Sequence, residues 1–210
     1  MTNPPQTMAN PPKTLFVGIT GASGAPYALR LVEALSAAGC HLTLCVSDPG
    51  VMVLRHELEL PAEGRDEVLQ AFLKRAHASN GVIVNPDDFE TPAASGSNFP
   101  DAAIICPCSL ATVAHIATGA GCNLIHRAVD VALKERKPLV LVPRETPLST
   151  IHLRRLLEAA EAGAVILPPA PGFYGRPRTV ADMVDFVVGR VLATLSFEQR
   201  LCPTYEGQSS

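Results

Sequence analysis

The 210-residue sequence has no tryptophan, aromatic side chains make up 5% of it, and charged side chains make up only 18%. Its 17 Lys and Arg against 20 Asp and Glu give a formal net charge of -3, without the basic excess of a nucleic-acid-binding protein. Its longest apolar runs, such as 139–143, fall far short of the roughly 20 residues of a membrane-spanning helix. Since no charged-then-apolar signal peptide opens the chain, we expect a cytoplasmic protein without nucleic-acid or membrane partners.

Signatures of disulfide scaffolds and metal sites are also missing. The six cysteines have neither the density of a disulfide framework nor the C-x-x-C pairs typical of structural zinc. The six histidines form neither an H-E-x-x-H motif nor a Ser/His/Asp order with a nucleophile elbow. We therefore expect no metal, and hydrolase and metalloprotease functions are disfavoured.

The chain is nevertheless rich enough in hydrophobic residues, at 47%, to bury one sizeable core. Residues 1–12 contain four prolines and no apolar periodicity, so that segment predicts a disordered tail. We expect one folded domain over 13–198 and a C-terminal tail over 199–210.

Six short β-rich runs alternate with helical patterns along the domain. The predicted strands cover 15–20, 41–47, 82–84, 102–106, 139–143 and 165–167. Strands that are apolar on both faces and separated by helices are typical of a parallel sheet covered on both sides. The sequence thus predicts an α/β fold with a single doubly wound parallel sheet, a Rossmann- or flavodoxin-like three-layer sandwich, and ligands at the carboxyl ends of the strands.

A glycine-rich turn follows the first predicted strand, with the sequence Gly18-Ile-Thr-Gly-Ala-Ser-Gly-Ala25. It enters a helix whose first N–H groups suit an anion or the edge of a cofactor ring. Its spacing is not G-x-G-x-x-G, so the turn does not identify a cofactor. Simple tight-turn packing is the alternative interpretation.

The fourth strand ends in a second such turn, Cys106-Pro-Cys-Ser109-Leu-Ala-Thr112. Ser109 is placed to cap the following helix, and the turn offers backbone N–H groups and two hydroxyls to a phosphate. An ordinary N-cap is the alternative here. Two turns on one sheet that each offer backbone N–H groups to an anion are typical of a mononucleotide site.

Charged residues flank the fifth strand. Arg127 and Lys134 are seven residues apart on a helix predicted over about 123–137, so they share one face. A solvated helix face is the usual meaning of such a pattern. Arg144 and Glu145 follow the strand directly, and we expect the cations and this acid to converge at its carboxyl end.

Two further polar side chains are candidates near the end of the chain. Tyr174 lies in the loop over 168–177, where its phenol could donate to a phosphate or its ring could simply anchor the loop. Arg190 lies at the edge of the apolar stripe of the last helix, where it either snorkels to solvent or reaches into a site.

Together these motifs resemble the UbiX flavin prenyltransferases, over about residues 15–190. The resemblance rests on the Gly18–Ala25 turn, on 106–109, on the block 127–147 and on Pro171-Gly-Phe-Tyr174. It implies a homododecamer with sites between subunits, without metal. It also implies transfer of the dimethylallyl group of dimethylallyl monophosphate to N5 and C6 of reduced FMN, which gives prenylated FMN for UbiD-type decarboxylases.

The resemblance also implies roles for individual residues. The FMN-binding positions are Gly21, Ala22, Ser23, Ser47, Ser109, Leu110, Ala111, Thr112 and Arg144. The substrate phosphate is bound by Arg127, Lys134, Arg144, Tyr174 and Arg190, and Lys134 is also counted as catalytic. Preorganised cations would stabilise the charge that accumulates as the phosphate departs.

Proton transfer is assigned by the same resemblance. Glu145 corresponds to the acid that assists phosphate departure and then removes the proton at C6, while Ser23 with Glu57 handles the N5 proton. Relatives can place a tryptophan against the prenyl group, and Phe89 and Tyr205 take the corresponding places here. This change could alter the tolerance for prenyl chain length, because aromatic faces stabilise a carbocation-like fragment.

Two other functions are alternatives to flavin prenyl transfer. An FMN-dependent decarboxylase of the phosphopantothenoylcysteine type would carry a P-x-M-N segment, but none of the four methionines precedes an asparagine. A non-catalytic FMN carrier would need the phosphate turns but not Lys134, Glu145 and Arg190. The sequence leaves open which decarboxylase receives the product and whether the monophosphate or the diphosphate is preferred.

Overall fold

The computed structural model describes residues 10–202, so most of both predicted tails and Tyr205 lie outside the described residues. The strands are β1 Thr14–Ile19, β2 His41–Val46, β3 Gly81–Val84, β4 Ala102–Cys108, β5 Leu139–Pro143 and β6 Val165–Ile166. All six predicted strands are confirmed, with bounds that differ by at most two residues. β4 runs on through Pro107, where its pairing with β5 is irregular.

Seven α-helices connect and cover these strands. They are α1 Ala25–Ala37, α2 Asp48–Glu57, α3 Arg65–Arg75, α4 Leu110–Thr118, α5 Leu124–Lys134, α6 Thr150–Glu161 and α7 Val180–Thr194. Two short 3-10 turns, Pro92–Ala94 and Gly96–Asn98, lie within the long loop before β4. No helix among residues 10–202 is long and apolar enough to cross a membrane.

The strands form one sheet in the order β3-β2-β1-β4-β5-β6, and every neighbouring pair is parallel. This is the doubly wound Rossmann order, which confirms the predicted fold class. The chain reverses its winding direction between β1 and β4. A crevice outside the carboxyl ends of these two strands is where such sheets bind ligands.

Buried side chains form one core on each face of the sheet. Alternate residues of β1 illustrate the division, since Leu15 and Val17 belong to the core under α1 and α7, whereas Phe16 faces α4 and α5. These three side chains are fully buried. Because both faces are covered, the strands can be apolar throughout, which explains why they read as continuous hydrophobic runs.

Candidate functional site

The loops after four strands meet at the edge of the sheet where the strands end, which we call the carboxyl edge. Gly21, Ala22 and Ser23 follow β1, and Ser47 follows β2, where its N–H donates to the carbonyl of Ile19 (3.0 Å). A Cβ atom on Gly21 would lie 2.5 Å from Cβ of Pro49. The first two loops therefore pack so closely that residue 21 must be glycine.

The turn after β4 has the geometry of a phosphate site. Ser109 caps α4: its Oγ accepts from the Thr112 N–H (3.2 Å) and lies 2.9 Å from the Thr112 hydroxyl. Leu110 and Ala111 begin the helix, so their N–H groups have no acceptor within it. Two hydroxyls and two amide groups at the positive end of α4 are thus grouped for an anion.

Thr20 joins this turn to the glycine-rich one, a role that the sequence analysis missed. Its buried hydroxyl donates to the carbonyl of Pro107 (3.0 Å) and accepts from the Ser109 N–H (2.7 Å). Both bonds cross from the end of β1 to the end of β4. Thr20 therefore fixes the distance between the two halves of the crevice.

The expectation that the first turn of α1 is open to an anion is wrong. The N–H groups of Gly24 and Ala25 donate to Oε2 of Glu57, at 2.9 and 2.8 Å. Glu57 ends α2, and its carboxylate is attracted to the positive end of α1. Because the N–H groups at the start of α1 are bonded to Glu57, they are not available to a phosphate. Of the two helices that follow β1 and β4, α4 is the one whose first N–H groups can bind it.

Glu57 is held ionised by its surroundings. Partial burial alone would raise its pKa, but hydrogen bonds from Ser23, Gly24 and Ala25, together with the charge of Arg144, outweigh burial and lower the pKa from its ordinary value of 4.5. The structure thus brings Ser23 and Glu57 together, as the resemblance implied.

We expect this carboxylate to make stability depend on pH. A folded-state pKa below the unfolded value stabilises the fold above pH 4.5, and the stabilisation is lost as the pH falls through the folded pKa. Glu57→Gln should therefore unfold at lower urea concentration than the wild type at pH 7, and the difference should shrink below pH 4.5. Glu63→Gln, at an exposed position, is the control and should show neither effect.

Arg144 and Glu145 follow β5 at the same edge. The Arg144 N–H donates to the Cys108 carbonyl (3.2 Å), and its Nε donates to the Ser23 carbonyl (3.1 Å). Arg144 therefore links the end of β4, through its backbone N–H, to the loop after β1, through its guanidinium. The Glu145 side chain is exposed, and within residues 10–202 its Oε1 accepts a hydrogen bond only from the neighbouring Thr146 N–H (3.1 Å). This carboxylate is accessible for proton transfer.

The structure does not bring Lys134 to this edge within one chain, so the predicted convergence is wrong for a single subunit. Arg127 and Lys134 do share a face of α5, where Arg127 Nε donates to the Ala94 carbonyl (3.2 Å) and Lys134 Nζ pairs with Glu135 (2.6 Å). Helix α5 ends five residues before β5 begins, at the opposite edge of the sheet. The length of β5, roughly 16 Å, separates the two ends.

Tyr174, in the loop before α7, and Arg190, on α7, form a third group. The Tyr174 ring packs edge-on against Phe186 with 5.6 Å between centroids, and its hydroxyl lies 4.0 Å from Sγ of Cys202. Desolvation and Cys202 raise the pKa of Tyr174, while the positive charge of Arg190 opposes the rise. Both side chains are exposed, so this group is open to another molecule.

Phe89, expected in the place of a tryptophan, is half-exposed and lines a cavity of about 220 Å³ beside Arg127. The predicted site residues of one chain thus fall into three groups. The first follows β1, β2, β4 and β5, the second is Arg127 and Lys134 of α5 with Phe89, and the third is Tyr174 with Arg190 of α7.

A doubly wound sheet with an open phosphate turn at its switch point defines a nucleotide- or flavin-binding protein of the Rossmann class. Residues 3–192 match the family described as Flavoprotein. The chain is 46% identical over 200 residues to the flavin prenyltransferase UbiX of Pseudomonas aeruginosa, covering 94% of this chain and 96% of the relative. It is 39% identical over 187 residues to the flavin prenyltransferase UbiX of Methanocaldococcus jannaschii, a match that covers 89% of this chain and 95% of the relative. The chain belongs to the UbiX flavin prenyltransferase family.

Solved structures agree with this placement. AnUbiX (PadA1) in complex with FMN and dimethylallyl pyrophosphate superimposes with a TM-score of 0.83 at 35% identity, covering 94% of this chain and all of that one. A dodecameric FMN-dependent UbiX-like decarboxylase from Escherichia coli O157:H7 superimposes with a TM-score of 0.81 at 39% sequence identity. The match covers 92% of this chain and 100% of that one. A phosphopantothenoylcysteine decarboxylase mutant, 18% identical with a TM-score of 0.56, shares the fold alone.

Proposed function

We propose that this chain is a flavin prenyltransferase that joins the dimethylallyl group of dimethylallyl monophosphate to N5 and C6 of reduced FMN. The C–O bond to phosphate breaks as the released carbon bonds to N5, which loses its proton. The alkene then takes up a proton and bonds to C6, which loses its own proton, and phosphate and prenylated FMN are released. The main support is a relative of 35% identity that holds FMN and dimethylallyl pyrophosphate on the same fold. The carboxyl edge supplies an open phosphate turn and, beside it, a carboxylate at Glu145.

The FMN phosphate is assigned to the turn over 109–112. The hydroxyls of Ser109 and Thr112 and the N–H groups of Leu110 and Ala111 suit its oxygens, with α4 contributing its positive end. The ring would then extend along the crevice toward Gly21, Ala22 and Ser47. Arg144, bonded to the Ser23 carbonyl, would then lie between the ring and the carboxyl end of β5.

Ser109→Ala should weaken FMN binding about 10- to 100-fold, because a hydrogen bond to a charged group contributes about 1.5–3 kcal/mol. The same change removes a helix cap, which costs about 1 kcal/mol of stability. Ser149→Ala is the matched control, since Ser149 caps α6 with the same 3.2 Å bond but lies on another helix. We expect both variants to lose the same stability in urea unfolding. Only Ser109→Ala should bind flavin more weakly in a fluorescence titration. Equal flavin affinities would contradict the assignment.

The substrate phosphate needs cations that one chain keeps apart. Arg144 lies at the carboxyl edge, whereas Lys134 lies at the end of α5, at the opposite edge. Arg190 lies on α7, and Tyr174 lies in the loop before it. We infer that neighbouring subunits bring these groups together, as in an assembly of the kind formed by the dodecameric relative from Escherichia coli. Each of the exposed groups on α5 and α7 would then complete the site of another copy.

The test is anaerobic incubation of the purified protein with reduced FMN and dimethylallyl monophosphate or diphosphate, followed by mass spectrometry of the released flavin. The expected result is a flavin heavier by one dimethylallyl unit. Unchanged FMN with both substrates would favour the carrier function. The UbiD-type recipient of the product and the cytoplasmic location stay predictions.

A further inference from the structure

Three side chains with metal-binding atoms meet at the junction of α4 and α5, beside a cavity that Phe89 and Arg127 also line. They are His115 in α4, Cys122 in the connecting loop and His126 near the start of α5. Their ligand atoms lie within 4.8 Å of one another. We propose that they bind a divalent transition-metal ion of the Zn²⁺ type. The spacing, His-x6-Cys-x3-His, matches none of the motifs that the sequence analysis considered.

Two of the ligand atoms already have the separation that a tetrahedral ion requires. Sγ of Cys122 lies 3.7 Å from Nδ1 of His126. Zinc bonds of about 2.3 Å to sulfur and 2.1 Å to nitrogen, at a tetrahedral angle, put the two ligand atoms about 3.6 Å apart. The Cys122 N–H donates to the same Nδ1 over a long 3.3 Å bond, so this nitrogen is unprotonated, and the ion would take the place of this bond at its lone pair.

His115 is prepared as the third ligand. Its Nδ1 lies 2.9 Å from the carbonyl oxygen of Ala120, which can only accept, so Nδ1 carries the proton and Nε2 keeps its lone pair. Metal-binding histidines usually donate their second N–H to such a carbonyl. The two imidazole rings are stacked with 4.5 Å between centroids, so the partly exposed His115 ring would turn out of this stack when its Nε2 binds the ion.

The loop that carries Cys122 is shaped before any ion binds. Gly119 ends α4 in the left-handed region (φ 66°), and a Cβ atom on Gly121 would lie 2.7 Å from Cβ of His126. Both histidines line the cavity of about 220 Å³ beside Arg127, which has room for water as a fourth ligand. Three protein ligands with one open position is an arrangement that zinc adopts. Binding would release the thiol proton of Cys122 and tie α4 to α5.

The experiment uses the full chain, purified under reducing conditions without metal and titrated with Zn²⁺ against a chromophoric chelator, and with Co²⁺ followed by absorption. We expect one ion per chain and a thiolate-to-cobalt charge-transfer band. Cys122→Ser should abolish the charge-transfer band. Cys122→Ser and His115→Ala should each weaken zinc binding by more than about 100-fold, because even the loss of a residue that only hydrogen-bonds to a ligand lowers metal affinity 10- to 100-fold. Zinc should raise the melting temperature of the wild type but not that of Cys122→Ser or His115→Ala.

The matched control is His41→Ala, which removes an exposed imidazole at the start of β2 and should bind metal as the wild type does. Cys122 is exposed, so Cys122→Ser tests the site without disturbing the core. Binding that is absent from the wild type, or unchanged in Cys122→Ser, would overturn the proposal. Neither readout depends on flavin or on prenyl transfer, so the result is independent of the proposed function.

Discussion

Replacing Glu145 with glutamine should slow flavin prenylation about 10²- to 10⁴-fold, the usual contribution of a general acid or base. The amide keeps the size of the side chain but can neither donate a proton to the departing phosphate nor take one from C6. Glu145 is exposed and bonded only to its neighbour among the described contacts, so the change should leave the fold and flavin affinity intact. Single-turnover kinetics with reduced FMN, with product followed by mass spectrometry, measures the effect.

Glu161→Gln, an exposed glutamate at the end of α6, is the control for the same chemical change and should keep full activity. A rate for Glu145→Gln equal to that of Glu161→Gln would remove Glu145 from the chemistry. Weaker FMN binding in Glu145→Gln would instead assign it to the cofactor site.

The second large effect comes from sharing a site between chains. Glu145→Gln and Arg190→Ala should each be nearly inactive alone, yet oligomers reassembled from equal amounts of both should regain about one quarter of wild-type activity. Each residue is intact in half of the subunits, so about a quarter of sites built from two different chains receive both. Differently tagged chains, co-expressed and purified through both tags, supply the mixed oligomers.

Wild-type chains mixed with the double variant provide the matched control. If Glu145 and Arg190 serve one site from different subunits, this mixture also gives about a quarter of full activity, whereas residues from one chain give about a half. A mixture of the single variants that stays inactive would show that one chain supplies both groups.

The fold follows from local patterns in the sequence. Runs such as 139–143 are apolar on both faces, and each is separated from the next by a helical repeat, which leaves a covered parallel sheet as the solution. The ends of β4 were less predictable, because Pro107 normally argues against a strand interior. The strand nevertheless continues through Cys108.

The local geometry of the candidate site was predictable where one turn carries all of the groups, as at Ser109–Thr112. It was not predictable where distant residues meet. Glu57 reaches the start of α1 from the end of α2, and nothing in the spacing shows that it occupies the N–H groups of Gly24 and Ala25. Lys134 is close to β5 in sequence but not to its carboxyl end in space. Helix α5 runs in the opposite direction to β5, so its last residue lies at the edge of the sheet where β5 begins.

The carboxylate of Glu57 at the start of α1 also gives the crevice a polarity. A flavin mononucleotide is elongated and carries its charge at one end, so it could enter the crevice in either direction. A phosphate next to Glu57 would meet a like charge on donors that are already engaged, whereas a phosphate at α4 meets open N–H groups. One carboxylate thus selects the direction in which the ligand lies before any group of the ring is recognised.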